Sequence, residues 1–244
     1  MARNGHHHCD VPLEQARILY GRRRGRPLRP GRRELIDTLL PRFSIVLPDQ
    51  GALDPATLFP DSPAETWLEI GFGSGEHLVA QAGRYQKTGF LGCEPFINGV
   101  ASLLAKIQHE GLANIRIFPD DGRILLDCLA EASLGRVFIL FPDPWPKKRH
   151  AKRRLVSSRT IDAIARAMKD DAELRLASDD HDYIRWMLER LCRHEAFQWL
   201  AQGCSHWWQR TPDWPGTRYE TKALRAGRRC IYLRFHRLPR LTAT

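Results

Sequence analysis

Thr66-Trp-Leu-Glu-Ile70-Gly71-Phe-Gly-Ser-Gly75 sets a short apolar run directly against three alternating glycines, and the pattern continues as a helix from Glu76 to about Arg84. Glycines at such a joint let backbone approach a ligand closely, and the helix start adds amide donors without intrahelical partners. The same alternation runs downstream. Thr88 to Glu94 reads as a second strand, and Ile97 to Glu110 as a second helix stopped by Gly111 in a C-cap position. Ile115 to Phe118 is a third strand, Arg123 to Leu129 a short helix, and Val137 to Phe141 a fourth strand that is apolar throughout, as a strand covered on both faces should be. A helix near Thr160 to Met168, a strand Glu173 to Ala177, a helix Asp180 to Cys192 and a last strand Cys230 to Phe235 follow. This order predicts an α/β fold with a doubly wound, mostly parallel sheet that binds its ligands at the carboxyl ends of the strands.

Upstream, residues 1–60 read as a basic, partly flexible N-terminal arm and linker, and residues 61–244 as the main domain. Gly21 to Arg33 is too polar and too rich in Gly and Pro to fold alone, so it is expected to order on a polyanion. A short helix from Glu34 to Leu40 is predicted to end before Pro41, and 48–63 reads as a linker.

Of 244 residues, 38 are Lys or Arg and 28 Asp or Glu, but the placement says more than the +10 balance. Residues 21–33 and 147–159 each hold seven Lys or Arg and no acid. Neither run carries an amphipathic apolar face, which favours nucleic acid over a membrane as the partner. No apolar run approaches the roughly 20 residues that cross a bilayer. The opening segment with His6, His7 and His8 lacks the apolar stretch of a signal peptide. Cys9, Cys93, Cys128, Cys192, Cys204 and Cys230 form no C-x-x-C pair, and the remaining histidines are dispersed. That predicts no metal site, no disulfide framework and a cytoplasmic protein.

Three acids fall at consecutive strand ends. Glu76 stands where a dinucleotide-binding G-x-G-x-x-G turn needs a small residue, and it would repel a pyrophosphate. An acid, Glu69, before Gly71, Gly73 and Gly75 instead resembles the first motif of S-adenosylmethionine-dependent methyltransferases, whose cofactor is a sulfonium without phosphate. Glu94, nineteen residues after Gly75, is placed to accept ribose hydroxyls or to cap the helix after Pro95. Asp121 is placed to accept from an adenine amino group or, equally, to N-cap the next helix.

The fourth strand runs into Phe141-Pro-Asp-Pro-Trp-Pro-Lys-Lys-Arg-His-Ala-Lys-Arg-Arg-Leu155, where Asp143 and Trp145 sit between prolines ahead of six cations. A stiffened acid and an aromatic face beside a cationic run suit a nucleobase pocket at the edge of a phosphate-binding surface. Together with Leu68 to Gly75 and Thr217-Arg-Tyr-Glu220 plus Lys222, this stretch resembles the bacterial tRNA (guanine-N7)-methyltransferase family, from about Tyr20 to Phe235. Pro146 and the loosely matched arm are departures from the family pattern.

The resemblance implies a Rossmann-like, seven-stranded class I methyltransferase fold, S-adenosyl-L-methionine as cofactor and a guanine in the variable loop of tRNA as target. It makes Glu69, Gly71, Gly73, Gly75, Glu94, Asp121 and Asp143 cofactor contacts, with Asp143 also catalytic. Lys147, Asp179, Thr217, Arg218, Tyr219 and Glu220 become substrate contacts, with Trp145 or Tyr219 stacking on the base and Glu220 reading its Watson-Crick edge. The arm residues Arg22, Arg23, Arg24 and Arg26, and the run Lys148, Arg149, Lys152, Arg153 and Arg154, are expected on phosphates. A chain working alone, as monomer or homodimer, is expected. The rival readings are methylation of an exocyclic amine or a protein side chain, and a non-catalytic RNA-binding protein.

Overall fold

The computed structural model describes residues 19–241, so His6, His7, His8 and Cys9 lie outside the described residues. The chain enters through helices α1 (Pro30–Thr38) and α2 (Leu40–Phe43). It then alternates β1 (Glu65–Ile70), α3 (Glu76–Arg84), β2 (Thr88–Cys93), α4 (Ile97–Glu110), β3 (Ile115–Phe118), α5 (Gly122–Cys128) and β4 (Leu134–Leu140). The second half is α6 (Ser158–Ala167), β5 (Met168–Ser178), α7 (His181–Leu191), β6 (Phe197–Trp199), α8 (Ser205–Trp208), α9 (Arg218–Arg225) and β7 (Ile231–Arg237).

The strands form one sheet in the order β3-β2-β1-β4-β5-β7-β6. β1 to β5 pair in parallel, whereas β7 runs antiparallel to both of its neighbours. Both faces are covered. Leu68, Val137, Ile139, Leu174 and Leu176 pack under α5, α6 and α7. Trp67, Phe90, Phe138 and Ala177 pack under α3 and α4, with Trp214 and Ala223 of the C-terminal segment beside them. Alternate residues of one strand therefore serve opposite cores, and each fully buried large side chain contributes on the order of 1.5–3 kcal/mol. Among the described residues no helix is long and apolar enough to cross a membrane.

Several boundaries differ from the sequence reading. α1 begins at Pro30, since a proline in the first helical turn lacks only an amide that would be unpaired there. Pro41 sits in the first turn of α2 for the same reason and does not mark a stop. The lead-in is more than a linker. Ile45, Pro55 and Phe59 are buried, Ser44 bridges Ile117 on the outer edge of β3, and Leu53 bridges Leu129. β5 starts five residues earlier than its apolar run, and β6 and α8 were not anticipated.

Residues of the basic arm also have defined places. Ile97 N donates to the Arg23 carbonyl (3.0 Å), Gly25 N to Asn98 Oδ1 (3.0 Å), and Asn98 Nδ2 to the Arg26 carbonyl (2.8 Å). A Cβ on Gly25 would stand 2.7 Å from the Phe96 ring, so a side chain there would have to push that ring aside for the arm to lie this close to the start of α4.

Candidate active site

A cavity of about 440 Å³ opens at the carboxyl ends of β1 to β4. Gly71 and Gly73 form its floor, Glu94, Asp121 and Asp143 stand around it, and Tyr219 closes one side. Gly71, Gly73 and Gly75 all have positive φ (80°, 58° and 78°). At Gly73 a Cβ would meet the Tyr219 ring at 2.8 Å, and a Cβ on Gly99 would stand 2.2 Å from the Gly73 carbonyl oxygen. The turn is thus pressed between α4 and the aromatic wall, and side chains at either position would push it apart.

The four acids have different surroundings. Glu94 is 8% exposed and accepts from Gly73 N (2.7 Å) with one oxygen and from Phe96 N (3.0 Å) with the other, so it holds the turn in shape. Burial raises its carboxyl, against those two amide bonds, and the nearby Asp143 and Glu69 charges add to the rise. Asp121 N-caps α5 through Arg123 N and also pairs with the Arg123 guanidinium. Glu69 lies outside the wall of this cavity. It is 3% exposed and bonds His77 Nδ1 at 2.7 Å. His77 Nε2 lies 3.3 Å from Gln81 Nε2, which donates to the Asp213 carbonyl at 2.6 Å. With the proton on Nδ1, His77 donates to Glu69 and accepts from Gln81, whose Oε1 is left buried without a partner among the described residues.

Asp143 alone of the four is exposed, and it makes no hydrogen bond or ion pair among the described residues. The backbone on both sides of it is strained. Phe141 (φ 52°) and Trp145 (φ 45°) occupy the left-handed region, each immediately before a proline, at a cost of roughly 1–2 kcal/mol apiece. Arg154 holds the turn in place: its Nε donates to the Pro144 carbonyl (2.8 Å), and its guanidinium lies over Tyr183 and Trp186. At 9% exposure Arg154 is a structural clamp, which corrects its expected role as a phosphate contact. Lys147, Lys148, Arg149 and Lys152 of the same run are exposed. Arg153 lines the cavity with its guanidinium 4.7 Å from the Tyr20 ring and 4.9 Å from that of Trp145. Cys93 also lines the cavity, but burial, then the Asp121 and Glu94 charges, hold its thiol well above the usual range, so it is no nucleophile.

Thr217 to Glu220 is the start of α9. Thr217 Oγ1 accepts from Glu220 N and Glu220 Oε2 accepts from Thr217 N, a reciprocal capping box. Glu220 is 5% exposed, does not line the 440 Å³ cavity, and bonds Tyr232 Oη (2.6 Å) and Arg210 Nε (2.8 Å) through Oε1. That geometry corrects the expectation that it reads a base edge, because the carboxylate is buried outside the cavity and held by Tyr232 and Arg210. Tyr219, at 43% exposure, faces the cavity, and Arg218 is exposed beside it. Asp179 pairs with Arg228 (3.0 Å), while Asp180 caps α7. A wider hollow of about 610 Å³ lies beyond α9, but neither the glycine turn nor Asp143 borders it, so the chemistry belongs to the smaller cavity. Among the described residues no group of three or more His, Cys, Asp or Glu is placed to hold a metal.

Residues 63–233 match a family model described as "Putative methyltransferase". A tRNA (guanine-N(7)-)-methyltransferase of Rhodospirillum rubrum is 50% identical, over 95% of this chain and 91% of that protein. The protein of the same name from Brucella anthropi is 47% identical, over 93% of this chain and 97% of its own. The chain belongs to the tRNA (guanine-N(7)-)-methyltransferase family. Its sheet is the one that the motifs led the sequence reading to expect. A 16S rRNA (adenine(1408)-N(1))-methyltransferase from Catenulisporales acidiphilia, solved with S-adenosylmethionine, superposes with a TM-score of 0.53 over 80% of this chain and 96% of its own. At 14% identity it shares the class I methyltransferase fold alone.

For a tRNA (guanine-N(7)-)-methyltransferase, the residues around the cavity fit a cationic methyl donor. Three carboxylates face the space, and a Cβ on Gly71 would find no atom within 4 Å, so the floor beneath them is open. Arg22, Arg123 and Arg153 stand in the same wall, with Arg123 already paired to Asp121.

Proposed function

We propose that this chain methylates N7 of a guanine in the variable loop of tRNA with S-adenosylmethionine as the donor, and that Asp143 orients the base. The unpartnered carboxylate of Asp143, between the glycine turn and the cationic run, carries this reading. When bound, S-adenosylmethionine supplies an electrophilic methyl group on a sulfonium. Glu94 and Asp121 would hold its ribose and adenine beside the glycine turn, and His77 keeps the Glu69 carboxylate fixed beneath that turn.

Guanine N7 already carries an in-plane lone pair, so no residue has to remove a proton before attack. The work left to the protein is placement and charge. Asp143 accepts from the guanine N1–H or amino group, which orients the ring and stabilises the positive charge that develops on it. Tyr219 is the stacking surface, since Trp145 is packed edge-on to Tyr20 (6.2 Å) and His150 (5.8 Å). Thr217 and Glu220 act by holding Tyr219 in position, and Lys147, Asp179 and Arg218 meet the substrate around it. Arg22, Arg23, Arg24 and Arg26 with Lys148, Arg149, Lys152 and Arg153 carry phosphates of the tRNA. The chain works in the cytoplasm without an obligate protein partner, as monomer or homodimer.

The test is methyl transfer to unmodified tRNA transcripts with and without the variable-loop guanine, with products digested to nucleosides and weighed. 7-Methylguanosine should form only on the first. Asp143→Ala should lower kcat by about 10² or more, and Asp143→Asn should recover part of it if hydrogen bonding contributes beside charge. Methylation of both transcripts alike, or normal turnover by Asp143→Ala, would refute the reading.

A further inference from the structure

The cavity wall on the α9 side opens onto a basic surface of which the proposed function uses only Arg218. Arg218, Lys222 and Arg225 are spaced i, i+4 and i+7, so they share one face of α9, opposite the buried Glu220 and Ala223. All three are exposed, and with Arg229 beyond the turn at Gly227 they make no ion pair with a carboxylate among the described residues. Glu220, the one acid in 218–229, is buried. Helix stability does not account for the stripe. Lys222 and Arg225 suit the carboxyl end of α9, but Arg218 at its first position opposes the helix dipole.

Place and neighbours indicate the occupant. Tyr219, next to Arg218, is in the wall of the active cavity, and Ile231, which opens β7 six residues after α9, pairs with Ser178 at the carboxyl end of β5. The stripe therefore lies on the same rim as the cavity, whose wall also holds Arg22 and Arg153. Round the helix from it, on the side of Leu224 and the Arg210-paired Glu220, the 610 Å³ hollow is lined by Trp208, Arg229 and Tyr232 as well. Trp208 is 51% exposed and Leu224 55%, and the Arg229 guanidinium lies 5.3 Å from the Trp208 ring. Exposed cations on the outer face of α9, with Arg229 carrying the charge round to the exposed Trp208 indole, suit a single polynucleotide strand, with phosphates on the cations and a base on the ring.

We propose that α9 and this hollow form a second RNA subsite, in which Lys222 and Arg225 hold the sugar-phosphate backbone on one flank of the target guanine and Trp208 stacks with a neighbouring unpaired base. The proposal rests on the tRNA reading above and adds to it the side of the mouth along which the strand leaves.

The experiment measures binding of an unmodified tRNA transcript between about 50 and 200 mM salt. The variants are the double Lys222→Gln/Arg225→Gln, Trp208→Ala, and a charge-matched control, Lys87→Gln/Lys169→Gln, at the amino-terminal rim of the sheet. Calorimetric binding of S-adenosylmethionine verifies that each is folded. The α9 variant should lower the steepness of the log–log salt dependence by about 1.4, at ~0.7 per single-strand phosphate contact. Trp208→Ala should weaken binding about fivefold or more, and the control should change neither quantity. An unchanged salt dependence in the α9 variant, or an equal change in the control, overturns the subsite and leaves this face to another partner such as an acidic protein surface. Wild-type protein that binds tRNA but forms no 7-methylguanosine would instead count against the function itself.

Discussion

Glu94 shows how one side chain serves fold and ligand together. Its two oxygens accept from Gly73 and Phe96, yet burial, with Asp143 and Glu69 nearby, raises its carboxyl above the ordinary 4.5. For folding alone, a raised carboxyl favours the protonated form: that stability is present below the ordinary glutamate range and is lost as pH rises through the raised value. Binding has the opposite sign, because ribose hydroxyls donate to the ionised form. S-Adenosylmethionine affinity should therefore be full above the raised value and fall by up to about tenfold per pH unit below it. Calorimetric titration across that range is the measurement, and Glu94→Gln should bind weakly with a flat profile. A wild-type profile as flat as that of the variant would remove Glu94 from the cofactor's contacts.

Among elements, the turn from Phe141 to Leu155 carries most of the design. Two left-handed residues before prolines cannot hold themselves in place, and Arg154 supplies a buried bond to the Pro144 carbonyl together with packing on Tyr183 and Trp186. Arg154→Ala should cost about 3 kcal/mol in denaturant unfolding and depress kcat with it, since the support of Asp143 is lost. Lys152→Ala, two residues away and exposed, should stay within about 0.5 kcal/mol of wild type and act on tRNA binding alone.

The run also shows where sequence reading stops. Lys147 to Arg154 offers six cations, and nothing in composition tells which one turns inward; only the register of the 3₁₀ turn Lys148–Arg153 against Val156 and α7 decides it. β1 to β4 were legible because short, mainly apolar runs end in glycine, proline or acid. β6 has three residues, and near the start of β5 Lys169-Asp-Asp171 are polar, with a register shift opposite them between Leu134 and Arg136, so neither left a period to read. The cavity acids were legible as strand-end positions. The His77–Gln81 chain beneath Glu69 was not, although His77 and Gln81 four apart on α3 were its available signal.

At the scale of the whole molecule, the C-terminal segment is tied into the sheet by charge. Asp213 bonds Arg175 (2.9 Å) and Arg136 (3.3 Å), and Glu173 joins both arginines. Burial pushes the Asp213 carboxyl upward, but the bond from Arg175 and the Arg175 and Arg136 charges outweigh it and hold the group well below the usual carboxylate range. Since Gln81 donates to the Asp213 carbonyl, the floor of the cavity and the segment leading to α9 are fixed to the same point.

The short bridge between Ser44 and Ile117 has a consequence for how copies of the chain behave together. β3 is the outermost strand on its side, and Ile45 N donates to the Ile117 carbonyl (2.8 Å) where a neighbouring molecule's strand could otherwise add on. The opposite border is only the three residues of β6. Removing residues 1–47 would strip the cover from β3, and light scattering should then register concentration-dependent oligomers larger than any that the full chain forms. The lead-in is thus a guard against polymerisation through the sheet.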